Sequence, residues 1–180
     1  MLYMFLSEGF EETEAIGALD VIRRAGIEVK TVGVSGKEVC GSHGVKVAAD
    51  IEMSAVSFED MQGVILPGGM PGTTNLQNDE TVKKAVLHCA ESKLLVAAIC
   101  AAPMVLGELG VLKGKKAVCY PGFEQYLEGA MLCSDGAVKD GNIVTGKGAG
   151  ASMLFGAKIV DFFMPGKGTE ILGQMQHFIG

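Results

Sequence analysis

The chain has no tryptophan, and only three tyrosines and three histidines among its 180 residues. His43, His88 and His177 lie far apart and form no metal-ligand spacing, so no metal site is expected. The five cysteines, at positions 40, 89, 100, 119 and 133, make an odd set without a CxxC pair. Free thiols in a reducing compartment fit that set better than a disulfide framework or a zinc knuckle. Basic charge is also scarce: 15 Lys and Arg against 21 Asp and Glu leave a formal charge of −6. Nucleic acid and anionic membrane both need a basic face, which such a chain does not offer. No apolar run approaches the roughly 18 residues of a membrane span. The opening MLYMFLSEGFEE has no basic leader and turns acidic too soon for a secretory signal. A cytoplasmic location is expected. GxxxxGK[ST] is absent as well, which leaves a kinase-type phosphate loop without support.

What is present is a hydrophobic content of 48% and a length that suits one domain with a sizeable core, residues 1–180. Neither an internal repeat nor a low-complexity tract divides it. Leu2–Leu6 is apolar but too short to assign by periodicity. Glu11 to Arg24 places Ile16, Leu19 and Ile22 on one helical face, with Gly26 as a stop. Ile27–Val34 reads as a strand and Val39–Ala48 as an extended segment or hairpin. Val64-Ile65-Leu66 runs into Pro67-Gly68-Gly69, the pattern of a buried strand ending in a tight loop. Thr81–Ala90 reads as a helix, Leu94–Ile99 as a fully buried strand, and Ala101–Leu109 as a helix with Pro103 in its first turn. Asp140-Gly141 suggests a type I′ hairpin turn, and Ala151–Phe163 a last apolar helix. Alternating β and α units of this kind predict an α/β sandwich around a mostly parallel sheet.

In such a sheet the carboxyl ends of the strands face the ligand crevice, and LVAAICAAP puts Cys100 there. The N-terminus of the following helix would favour the thiolate. The N–H groups of Ala101 and Ala102 could bond a developing oxyanion, as in a nucleophile elbow with cysteine in place of serine. A structural reading stands beside this one, because free cysteine also packs as a small hydrophobe. In SEGFEETE, Glu11 and Glu12 suit the first turn of a helix for its dipole alone. Glu14 sits deeper and could point at Cys100, donate a hydrogen bond as the neutral acid and shuttle protons. Gly68-Gly69 would allow close backbone approach and offer N–H donors, or serve only as a turn.

Taken in order, EGFEETEA, VILPGG and AAICAAP resemble the ThiJ/PfpI family, near the branch of the Parkinson-disease-linked deglycase and bacterial ThiJ-like proteins. ALDVIRRAGIEV and KDGNIVTGKGAGAS extend the likeness from Leu2 to about Phe163. The resemblance implies a flavodoxin-like sandwich that forms a homodimer, with Asp20, Arg23 and Arg24 at or near the contact. It places the nucleophile on Cys100, its carboxyl partner on Glu14 and the oxyanion donors on the backbone of Gly69 and Ala101. Gly68, Tyr120, Gly148 and Ala149 then belong to the pocket.

Two departures shape the chemistry. AVCYPG has Tyr120 where many members carry a histidine, so Glu14 is left to move protons. Ala101 follows the nucleophile where peptidase-like members have histidine, and no downstream His–Glu pair serves a glutamine amidotransferase. His177 reads as a surface or tail residue. The resemblance therefore implies a cofactor-free glyoxalase III or deglycase, acting on methylglyoxal, glyoxal or their early adducts on amines. The alternative is a non-catalytic oxidative-stress sensor or chaperone-like dimer that uses the same cysteine. A peptidase is the weakest option.

Overall fold

The computed structural model describes residues 1–177. The first half of the chain contains β1 (Leu2–Leu6), α1 (Glu12–Arg24), β2 (Val29–Gly33), β3 (Glu38–Cys40), β4 (Lys46–Ala48), β5 (Ile51–Glu52), β6 (Gly63–Leu66), α2 (Gly72–Asn78) and α3 (Glu80–Glu91). The second half contains β7 (Leu95–Ile99), α4 (Pro103–Glu108), β8 (Lys116–Ala117), β9 (Met131–Leu132), β10 (Ala137–Asp140), β11 (Ile143–Gly146), α5 (Ser152–Phe163) and α6 (Lys167–Gln174). Seven strands make the main sheet, in the order β10-β11-β7-β6-β1-β2-β5. Every neighbouring pair in it is parallel except β10–β11. β3–β4 is a separate antiparallel hairpin, and β8–β9 a short parallel pair.

Side chains alternate across the sheet, so each strand feeds two cores. Leu2, Met4 and Leu6 of β1 join Ala18, Ile22, Phe155, Ile159 and Ile171 from α1, α5 and α6. Tyr3 and Phe5 face the other way, among Val82, Val86, Val105 and Leu106 from α3 and α4. Because both faces are covered, β1, β6 and β7 are apolar without a break. The flavodoxin-like α/β sandwich read from the sequence is the fold observed. Among the described residues, no helix is long and apolar enough to cross a membrane.

Some boundaries move for local reasons. Leu2–Leu6, unassigned from its length, is β1 at the centre of the sheet. The helix expected from Ala101 begins only at Pro103. Cys100 has φ 66, and the Ala102 N–H closes a turn onto Ile99 O at 3.0 Å, so the chain bends before it coils. The β10–β11 turn is also displaced by one residue. Asp140 pairs with Ile143, which makes Gly141 and Asn142 the loop. Only Gly141 has positive φ, at 61, so the turn has the type II′ pattern with glycine first, not type I′. The helices α2 and α6 and the two-residue strands β5, β8 and β9 have no counterpart in the sequence reading.

Candidate active site

Three segments converge at the carboxyl ends of adjacent strands: the start of α1 after β1, Pro67-Gly68-Gly69 after β6, and Cys100 after β7. The left-handed backbone at Cys100 is strained for a residue with a side chain. Two bonds hold it. Its N–H donates to Gly146 O at 2.9 Å, and its carbonyl accepts the Tyr120 N–H at 2.8 Å. The cysteine is half-buried, unlike the sealed Cys89.

Glu14 is only 1% exposed. Its own N–H donates to the Glu11 carboxylate at 2.6 Å, so Glu11 is the N-cap of α1. Its Oε2 accepts the Gly68 N–H at 2.9 Å, while Oε1 is buried without a hydrogen-bond partner. A Cβ at position 68 would lie 2.5 Å from Cys100 Cβ and 2.7 Å from Glu14 Oε2. Only glycine lets these three segments close up.

Burial pushes the Glu14 carboxyl up to about 7, against the opposing effects of the neighbouring Cys100 thiol and the Gly68 N–H. Burial, followed by the Glu14 charge, pushes the Cys100 thiol up to about 12. The expectation that the helix end would favour the thiolate is thus corrected. The helix is six residues long and starts three positions later, too late to outweigh desolvation and a neighbouring carboxylate. Two amides act in the expected direction, since hydrogen bonds from Gly69 and Ala101 lower the thiol. The Ala102 N–H is spent on Ile99 O, so it is not a donor to an oxyanion. Thiol and carboxyl titrate as a pair. Above about pH 7 they hold one negative charge and one proton, which can sit on sulfur or on oxygen.

Tyr120, Gly148 and Ala149 come together as walls of a cavity of about 500 Å³, with Pro121 and Lys147. Cys100 does not line it but adjoins it through Tyr120, whose N–H is bonded to the Cys100 carbonyl. No histidine contributes to the titration of Glu14 or Cys100. His43 bonds Glu12, His88 stacks edge-on against Phe58, and His177 closes the end of α6 onto Leu172 O. On α1, Arg24 pairs with Asp20 at 2.9 Å and Arg23 with Asp50 at 2.6 Å.

From sequence alone, Glu12 has only a dipole role. In the fold its carboxylate accepts the His43 N–H at 2.7 Å, His43 Nδ1 at 2.9 Å and the Val45 N–H at 3.3 Å. It thereby clamps the β3–β4 hairpin onto α1. Glu11, Glu12 and His43 bring ligand atoms within 4.8 Å of one another. However, the Glu11 carboxylate caps Glu14 and the Glu12 carboxylate holds the hairpin. No local pattern announces a contact between residues 31 positions apart.

The DJ-1/PfpI family model matches residues 1–162. The protein dj-1beta of Drosophila melanogaster is 38% identical over 162 residues, covering 88% of this chain and 86% of that one. DJ-1 homolog B of Arabidopsis thaliana is 35% identical over 176 residues, and there the chain spans only 40% of the relative's length. Among solved structures, oxidized Toxoplasma gondii DJ-1 superposes with a TM-score of 0.91 at 31% identity, covering 97% of each chain. A nearly complete family match, together with the shared fold, shows that the chain belongs to the DJ-1/PfpI family.

Proposed function

We propose that the protein is a cysteine-dependent, cofactor-free enzyme of the glyoxalase III or deglycase type. Its substrates are 2-oxoaldehydes such as methylglyoxal and glyoxal, or their early adducts on amines. The observation that carries this reading is the buried carboxyl of Glu14, raised to about 7 against Cys100, with its Oε1 free of any hydrogen-bond partner. An acid of that strength can take a proton and return it near neutral pH.

The chemistry follows from the pair. As the sulfur attacks the aldehyde carbon, its proton passes to the Glu14 carboxylate and the S–C bond forms. The carbonyl oxygen becomes a hydroxyl, with the developing charge met by the Gly69 and Ala101 amides. The proton on the former aldehyde carbon is then removed and one is returned to the adjacent carbon. Meanwhile the hydroxyl of the first carbon gives up its proton to become a carbonyl, and the oxygen on the second takes one up to become a hydroxyl. This oxidises the first carbon and reduces the second within one molecule. The resulting 2-hydroxyacyl thioester is hydrolysed by water, freeing the thiol and a 2-hydroxy acid. No external oxidant or reductant is consumed. A peptidase route lacks the imidazole that would activate the thiol and protonate a leaving amine.

Purified protein incubated with methylglyoxal in the absence of glutathione should yield lactate. Cys100→Ser should abolish the yield, and Glu14→Gln should lower it by about 10²–10⁴-fold. Lactate formation that persists in Cys100→Ser would refute the mechanism.

A further inference from the structure

We infer that the cavity beside Cys100 selects 2-oxoaldehydes that carry an anionic tail, and that Lys147 reads that tail. The inference rests on the reaction proposed above and names its substrate class. The cavity holds about 500 Å³, far more room than a three-carbon dicarbonyl fills. Its walls are an aromatic ring, a proline, backbone and methyl groups, and Lys147 is the single charged residue lining it. Like most lysines of the chain, the exposed Lys147 has no carboxylate partner among the described residues.

Charge makes the placement meaningful. The chain has a net charge of −6, and the Glu14–Cys100 pair adds a local negative charge at neutral pH. An anionic substrate would be repelled from that pair unless a cation faced it. Tyr120 links the two places, with its backbone on Cys100 and its ring on the cavity wall. A substrate whose aldehyde reaches the sulfur can therefore run past Tyr120 and set a terminal carboxylate against Lys147. The reaction is unchanged: the 2-oxoaldehyde takes up one water and leaves as the 2-hydroxy acid, with its tail intact.

The matched probes are 4,5-dioxopentanoate and its neutral methyl ester. Wild type should favour the acid over the ester by about tenfold in kcat/KM, a preference that salt erodes. Lys147→Gln should bring the two within about twofold, and Lys147→Arg should restore most of the preference. Equal use of acid and ester by wild type would overturn the inference, as would a preference that survives Lys147→Gln. A second readout does not need turnover: 2-hydroxyglutarate, the corresponding product, should slow alkylation of Cys100 by iodoacetamide in wild type but not in Lys147→Gln. Absence of that protection in wild type, or equal protection in both, also overturns it. Loss of all dicarbonyl turnover with protection retained would instead refute the reaction and leave the anion site standing.

Discussion

Glu14 and Gly68 hold each other at both ends of one loop. The Glu14 carboxylate takes the Gly68 N–H at 2.9 Å, and the Gly68 carbonyl takes the N–H of Glu11, at the start of the same helix, also at 2.9 Å. This reciprocal clasp seats α1 against the loop after β6 and leaves the Cys100 turn directly beside both. It works only without a side chain at 68. Gly68→Ala would drive a methyl into Cys100 Cβ and the carboxylate, at a cost of about 1–3 kcal/mol. Urea unfolding should show that loss, and Cys100-dependent turnover should fall far more than stability does. An alanine variant with wild-type stability and rate would mean that the segments are not locked together as described.

The shared proton predicts the pH profile of the thiol. Below about pH 7 both groups are protonated, and above it the pair is a monoanion in which the proton can move from sulfur to carboxylate. Iodoacetamide labelling of Cys100 in wild type should therefore rise with an inflection near 7. In Glu14→Gln the acceptor is gone but the thiol stays desolvated, so the inflection should move above the ordinary thiol value. One profile common to both proteins would show that the carboxyl does not govern the sulfur.

The same carboxyl makes folding pH-dependent. Its pKa is raised on folding from 4.5 to about 7, so the folded state binds the extra proton. Its contribution is complete below pH 4.5 and is lost as pH rises through about 7, amounting to about 3 kcal/mol. Wild type should lose that stability between pH 4.5 and 8 relative to Glu14→Gln, whose amide does not titrate. Parallel stability curves for the two proteins, from denaturant midpoints at each pH, would contradict the burial argument.

These elements differ in how far the sequence foretold them. The apolar runs at Val64–Leu66 and Leu94–Ile99 have few other ways to be buried, so β6 and β7 were legible, as was a glycine loop between strand and ligand crevice. Cys100 at a strand–helix turn was legible because small residues flank it. The length of α4 was not, since the left-handed backbone at Cys100 depends on bonds to Gly146 and Tyr120, 46 and 20 residues away. Thiol acidity was misjudged for a related reason. A helix end is visible in sequence, whereas the burial that opposes it belongs to the assembled fold. The short strands β5, β8 and β9 have two residues each, too few for any period.

The clamp at Glu12 gives the last prediction. Its carboxylate meets four donors of the Cys40–Lys46 turn, the Ser42 hydroxyl among them, and against the opposing effect of burial the His43 and Val45 bonds hold its pKa down, from 4.5 to about 2. Hydrogen bonds to a charged group contribute about 1.5–3 kcal/mol each at most, and the exposed His43 end contributes least. Because the pKa is depressed, the contribution is present above pH 4.5 and is lost as pH falls toward 2. In Glu12→Gln the hairpin should loosen locally while the sheet stays intact. Amide exchange at His43 and Val45 should speed up at neutral pH by about tenfold or more, and the β6 and β7 amides should keep their protection. Acidification of wild type toward pH 2 should reproduce the same selective loss. Uniform deprotection of the whole chain, or none at the hairpin, would show that Glu12 serves only the helix end and not the β3–β4 hairpin.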